Sequence, residues 1–307
     1  MAAASRCTVR DSVAGLTWQS AAVRVKLSVS ARWSKSRYWS CVLHLSPFAV
    51  PRYVSCRCLK SCGEPTNGAC HEATPHIPVP SGTSPNMRRP ASTWAAKAAV
   101  AAYDRNQGTD PQADDALLEL LGVTEGTQLV DLACGTGSLA VQAARRGAAA
   151  HGVDVSEEML AFAKARADRF GVTPQWHHAG FLDYTHQGPL ADVVTTKAAL
   201  HQLPDFWKQQ APLNAAGMLR PGGYFHLWDV IFSFEPSSAQ THLQQWINTA
   251  GRPDGEGFTK ADFEAHLREE FSTYTWIVEG MLHRAGFNIV SRAFPRPTHA
   301  EFCCLRR

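Results

Sequence analysis

The chain has 307 residues, 45% of them apolar and 19% charged, enough to bury one core or two. No run of 18 or more apolar residues appears, which argues against a transmembrane helix. The formal net charge of +3 is unevenly spread: residues 1–90 hold 12 basic and 3 acidic side chains, a net of +9, whereas residues 91–307 hold 18 and 24, a net of −6. An acidic domain is a poor binder of a phosphate backbone, so a nucleic-acid partner is not expected.

Residues 1–90 are rich in Ser and Arg and lack a sustained period of 2 or 3.6. Pro75, Pro78, Pro80, Pro85 and Pro90 break the last part repeatedly. The segment reads as a disordered basic leader. Its composition fits an organellar transit peptide, and Met87-Arg88-Arg89-Pro90 would equally make an ordinary start for the rest of the chain. The expected location is intracellular: a mitochondrion or plastid if the leader is native, the cytoplasm otherwise. Six of nine cysteines lie here, and Cys56-x-Cys58-x3-Cys62 with Cys70-His71 matches none of the paired zinc knuckles.

Residues 91–307 read as one α/β domain. Thr93–Tyr103 and Ala116–Leu121 are helical by propensity, the second ended by Gly122. Leu129–Ala133 reads as a buried strand, Gly135–Arg146 as loop then helix, and Ala150–Val155 as a strand. Glu157–Phe170 is a helix with Met159, Phe162 and Ala163 on one face, stopped by Gly171. Strands come next at Gln175–Ala179 and Ala191–Thr196. Phe206–Leu219 is helical, with a kink or restart expected at Pro212; Pro221-Gly222-Gly223 is a turn, and Tyr224–Val230 a strand. Phe234–Lys260 reads as a polar insertion, succeeded by helices at Lys260–Phe271 and Thr275–Ala285, so that 234–285 forms a cap. Asn288–Phe294 and His299–Leu305 close the chain as an antiparallel hairpin at a sheet edge. The fold class expected is α/β: a doubly wound, Rossmann-like, mostly parallel seven-stranded sheet with an antiparallel C-terminal hairpin.

The strongest chemical signal is Val130-Asp131-Leu132-Ala133-Cys134-Gly135-Thr136-Gly137, a strand that ends in an acid and enters a Gly-x-Gly loop opening a helix. Glycines let the backbone approach a ligand, and the first helical N–H groups point at it. Asp154, ending the next strand, stands where a carboxylate can take the two ribose hydroxyls of a nucleoside. Gly135–Ala140 also satisfies GxGxx(G/A), so an NAD-dependent dehydrogenase is an alternative.

In order and spacing these segments resemble the class I S-adenosylmethionine-dependent methyltransferases, over nearly all of residues 98–307. Tyr103-Asp104 resembles the family's N-terminal motif, Asp131–Gly137 its motif I, and Val153–Ser156 with Met159-Leu160 its motif II. Ala199–Asp205 resembles the segment after strand four, and Leu219–Gly223 the turn before strand five. The resemblance implies S-adenosyl-L-methionine as cofactor, with Tyr103 among its binding residues, the backbone of Gly135 and Gly137 approaching its methionyl part, Asp131 near its amino group and Asp154 at the ribose. It also implies Val155 and Met159 flanking the adenine, with the Phe181 N–H serving it. Where the family commonly has Gly-Asp-Phe, this chain has Ala179-Gly180-Phe181; Asp183 either substitutes for the missing acid or is an ordinary loop acid.

Methyl transfer from a sulfonium is an in-line displacement, and a base helps only if the acceptor has a proton to lose. His201, after strand four, and Asp229, ending strand five, are the catalytic candidates, as base or as substrate anchor. Trp228, Phe232, Phe234, Trp246, Phe271, Tyr274 and Trp276 are candidates to line an apolar acceptor pocket. No carboxylate–histidine spacing accompanies His177 and His178, so no metal is expected. The expected partner is a small-molecule methyl acceptor. An RNA or protein methyltransferase is the alternative, weakened by Thr196-Lys197-Ala198-Ala199 standing where a base-stacking motif would be. The sequence sets no oligomeric state.

Overall fold

A computed structural model describes residues 97–106 and 110–307. The basic leader and the cysteine cluster lie outside the described residues. In chain order the elements begin with α1 (Lys97–Asn106), α2 (Pro111–Leu120), β1 (Gln128–Leu132), α3 (Ser138–Arg145) and β2 (Ala149–Asp154). Next come α4 (Glu157–Phe170), β3 (Gln175–His178), β4 (Ala191–Lys197), α5 (Asp205–Met218) and β5 (Leu219–Asp229). The chain closes with β6 (Ile231–Phe232), α6 (Ala239–Ala250), α7 (Lys260–Glu269), β7 (Thr273–Tyr274), α8 (Thr275–Arg284), β8 (Phe287–Arg296) and β9 (His299–Arg306).

The main sheet has seven strands in the order β3-β2-β1-β4-β5-β9-β8. The first five run parallel, and β9 pairs antiparallel with both β5 and β8. Strand alternation assigns the faces. Val130, Leu132, Val194, Phe225, Leu227, Phe302 and Cys304 pack in one core with Ala211 and Ala215 of α5 and Val278 and Leu282 of α8. Their out-of-phase neighbours Leu129, Val193, Tyr224 and Cys303 pack in a second core with Leu118 of α2 and Ala143 of α3. Both faces are therefore covered, and the C-terminal ends of the parallel strands are left to carry a site.

Local signals explain most helix ends. Asp110 accepts the Gln112 N–H at 2.9 Å and Pro111 opens α2, so this helix starts five residues before the apolar pattern that marks it. Ser156 accepts the Met159 N–H, and Gly171 at φ +65° ends α4. Thr259 and Asp262 form a reciprocal capping box at α7.

Besides the early start of α2 and the run of β8 through Pro295 and Arg296, three segments differ from the sequence expectation. α5 runs unbroken through Pro212, whose ring is buried beside Ala211, Ala215 and Ala216; packing against the sheet holds the helix across the lost hydrogen bond. Leu219 already pairs with Ala191, and Tyr224 with Val193, so Pro221-Gly222-Gly223 bulges out within β5 rather than preceding it. The cap is also smaller than 234–285. α8 lays Val278 and Leu282 into the main core, leaving 234–274 as a separate unit built on α6 and α7. Phe232, Phe234 and Trp246 bury one another there with Val230, packed by Tyr274, Leu243 and Phe263. Four of the seven aromatics expected to line an acceptor pocket thus form the cap's own core, while Trp276 and Phe271 are largely exposed.

Candidate active site

The glycine loop is built by backbone geometry. Ala133 leaves β1 at φ +57°, and Gly135 and Gly137 come after it at +53° and +75°. A left-handed alanine costs about 1–2 kcal/mol, a strain that accumulates at functional turns. A Cβ on Gly137 would stand 2.6 Å from Ala163 Cβ and 2.7 Å from the Trp176 ring, so only glycine lets α3 start this close to α4 and β3. Gly135 is open, with the Tyr103 ring edge 4.0 Å from where its Cβ would be. Tyr103 also stands edge-on to Phe258 of the cap, at 6.4 Å between centroids.

A polar clamp that the sequence did not reveal holds this loop. Arg166 of α4 donates from Nη2 to both Asp104 oxygens, at 2.7 and 2.8 Å, and from Nη1 to the Thr136 carbonyl at 3.0 Å. The Thr136 hydroxyl donates to Asp104 at 2.6 Å. α1, the loop and α4 are thereby joined through one guanidinium.

Asp154 accepts the Gly135 N–H at 2.8 Å on one oxygen and the Ser156 N–H at 2.9 Å on the other. Burial raises its pKa, and these amides oppose the rise. Each oxygen keeps a further lone pair, which suffices for two hydroxyl donors. Asp131 is buried and accepts the Thr195 hydroxyl at 2.8 Å; burial pushes its pKa up to about 7, against the pull of that bond. Met159 and Phe181 are buried, Val155 packs against Gly180, and the Phe181 carbonyl accepts from Asn214 at 2.9 Å. Asp183 closes its own turn by accepting the Gly180 N–H at 2.6 Å, the behaviour of a loop acid. The Thr196 hydroxyl, on the strand beside Leu132, is buried without a hydrogen-bond partner among the described residues.

His201 and Asp229 meet at the end of β5. The buried Asp229 carboxylate accepts the His201 main-chain N–H at 3.0 Å, the Val230 N–H at 2.7 Å, and the His201 ring through Nδ1. On the ring's other side, Nε2 lies 3.0 Å from Glu270 at the end of α7, and the same Glu270 oxygen touches Nδ1 of His266. Burial disfavours the charge on His201, but Asp229 and then Glu270 outweigh it and raise its pKa to about 10. Glu270 is desolvated too, yet the two histidines hold it down at about 2. With its pKa raised and both ring nitrogens engaged, His201 is not a ready base in this arrangement. Asp229, its three contacts filled, positions His201.

The cap is tied down over this pair. The Phe271 N–H donates to the His201 carbonyl at 2.8 Å, and the buried Lys208 donates to the Phe271 carbonyl and to Asp205 at 3.1 Å. The space left between Leu200, His201, Lys208, Asp229 and Val230 is about 10 Å³, the size of one water. A larger cavity, about 260 Å³, is lined by Pro111, Ser138, Val141, Gln142, Arg166, Arg169 and Phe170 and shares no residue with the glycine loop. Neither His266, Glu270, Lys208 nor Arg166 was expected from sequence; an i,i+4 His–Glu pair on one helix face was the available signal for the first two.

Known proteins share this framework. Residues 129–223 match the family described as a methyltransferase domain. The chain is 27% identical over 158 residues to 27-O-demethylrifamycin SV methyltransferase of Amycolatopsis mediterranei, covering 50% of this chain and 57% of that protein. It is 34% identical over 110 residues to the ubiquinone biosynthesis O-methyltransferase of Sodalis glossinidius, covering 36% and 43%. The chain thus spans about half the length of the curated relatives it matches. In fold it is similar to the magnesium protoporphyrin IX methyltransferase of Synechocystis, with a TM-score of 0.52, 16% identity, and coverage of 72% of this chain and all of that one. An S-adenosylmethionine-dependent methyltransferase of Clostridium acetobutylicum has the same fold, with a TM-score of 0.50, 14% identity, and coverage of 66% and 96%.

Proposed function

We propose that this chain, which carries a class I S-adenosylmethionine-dependent methyltransferase domain, transfers a methyl group from that cofactor to a hydroxyl of a small-molecule acceptor. The observation that carries the reading is the grouping, at the C-terminal ends of β1, β2, β4 and β5, of the Gly135–Gly137 loop, Asp154, and the His201–Asp229 pair. The names of the aligned relatives support oxygen as the acceptor atom.

The residues present fit the cofactor. The open side of Gly135 leaves room for a methionyl chain, Asp154 has lone pairs for a ribose, and the unpartnered Thr196 hydroxyl offers a further polar contact. When bound, S-adenosylmethionine supplies a methyl group already activated on a sulfonium. The protein's share is then orientation and exclusion of water. Asp131, one residue before the end of β1, stands as the counter-charge for an ammonium group, and the Arg166 clamp keeps the loop from drifting. On the acceptor side, the cap must lift for a substrate to enter, since Glu270 and Phe271 now close on His201. His201 can take a proton only with Glu270 displaced and the ring uncharged.

Calorimetric titration of S-adenosylhomocysteine into the full chain tests the reading, with NAD as the parallel titrant. Binding of the first and not the second is expected, weakened about 10- to 100-fold in Asp154→Asn, the loss of charge-assisted bonds to two hydroxyls. A folded chain that binds no S-adenosylhomocysteine would sink it.

A further inference from the structure

Among the described residues, folding brings an i,i+4 His–Glu pair and a distant histidine to one point. His201 and His266 each offer a ring nitrogen and Glu270 a carboxylate oxygen, all within 4.8 Å of one another. His201 comes from the segment after β4, and the other two from the cap helix α7 and its end. We propose that His201, His266 and Glu270 bind a divalent transition-metal ion of the zinc class, with Asp229 and Ser272 orienting the two imidazoles.

Four observations carry the assignment. The donor set, two imidazoles and a carboxylate, is one that catalytic zinc sites use, and imidazole donors select transition ions over magnesium or calcium. The supporting contacts are already in place. Nδ1 of His201 is held by the buried Asp229, and Nε2 of His266 lies 2.8 Å from the Ser272 hydroxyl, so each ring has one nitrogen fixed and the other turned to the cluster. Glu270 Oε2 is buried, lies 3.0 Å from His201 Nε2, and touches Nδ1 of His266. A tetrahedral ion with ligands at about 2.0–2.1 Å would set its donors about 3.3 Å apart; the His201 and Glu270 donors lie 3.0 Å apart, those of Glu270 and His266 closer, and all three within 4.8 Å. Finally, charge balances: a divalent ion with neutral rings offsets the two carboxylates, Asp229 and Glu270, that converge on one histidine.

Three protein ligands leave a tetrahedral ion one open position. If the methyl-transfer reading holds, an acceptor hydroxyl bound there loses its proton to solvent near neutral pH. Its oxygen then forms the bond to the methyl carbon, while the pair of the breaking carbon–sulfur bond returns to sulfur. Acid–base work thus passes from His201 to the ion-bound oxygen.

The test uses the full chain stripped with chelator and titrated with Co2+, whose tetrahedral complexes show intense visible d–d absorption, followed by displacement with Zn2+. One saturable equivalent is expected, with affinity lowered at least 100-fold in both His266→Gln and Glu270→Gln. These two side chains are partly exposed, so their replacement spares the main core. A Cys56→Ser/Cys62→Ser variant should bind the ion unchanged. Absence of saturable binding would overturn the proposal, as would binding unaltered in both cap variants or a thiolate charge-transfer band. S-adenosylhomocysteine is titrated into the same samples. Cofactor binding without metal binding rejects the metal site alone, and metal binding without cofactor binding rejects the methyl-transfer reading alone.

Discussion

Asp229 holds His201 twice, accepting its main-chain N–H at 3.0 Å and its ring Nδ1 with the other oxygen, so the rotamer and the backbone of the histidine are set by one carboxylate. That double grip joins β5 to the turn after β4 and points Nε2 at the cap. Replacing Asp229 by Ala should therefore cost on the order of 3–5 kcal/mol, because it leaves a buried histidine and two N–H groups without their partner. Chemical denaturation measures this; a loss below about 1 kcal/mol would show that the pair is not buried as described.

Asp131 predicts a pH dependence of stability. Its pKa in the fold is about 7, above the ordinary carboxylate value of 3.8, so the folded state keeps a proton that the unfolded chain releases. Stability contributed by this group is full at acid pH and is lost as pH rises from about 4 to about 7. Asp131→Asn, which can still accept from Thr195, should gain on the wild type as pH is raised from 5 to 8. Denaturation midpoints at the two values decide it, and a constant difference would count against the shift. Binding of a ligand ammonium should draw the pKa down, so S-adenosylhomocysteine affinity should rise with pH over the same window in the wild type and not in the variant.

Gly137 and Gly122 make a paired test of what the cradle needs. Both are left-handed, at φ +75° and +70°, but only Gly137 would press a Cβ against Ala163 and Trp176. Gly122→Ala should cost about 1–2 kcal/mol, the backbone strain alone. Gly137→Ala should cost at least twice as much and abolish cofactor binding. Equal losses in thermal unfolding would mean that the close approach of α3 to α4 carries no energy.

Arg166→Gln should separate binding from folding. The guanidinium joins α1, Thr136 and α4 at a mostly buried position, outside the two main cores. S-adenosylhomocysteine affinity should fall roughly 5- to 50-fold, the loss of about 1–2 kcal/mol of loop positioning, with little change in melting temperature. A large drop in melting temperature with unchanged affinity would place the clamp among the structural contacts instead.

Much of the fold was legible in the sequence because its causes are local. Apolar runs of strand length, Ser156 and Gly171 at the ends of α4, and the Gly-x-Gly after Asp131 each act within a few residues, and their order on the chain implies parallel strands with helical crossovers. The closing hairpin followed from two strand patterns separated by Pro295-Arg296-Pro297. Tertiary structure decided what depends on distant partners. Pro212 sits in an unbroken helix because the sheet packs against it, and four cap aromatics became a core because α6 and α7 fold over them. His201 reads as a base on the chain, yet in space its ring is held between two acids, since Asp229 and Glu270 reach it from β5 and from the end of α7. Sequence spacing records which side chains a residue has beside it along the chain. The charge on a buried imidazole, and whether its free nitrogen meets an acid, a metal or a substrate, is set by groups that only folding brings within a few ångströms.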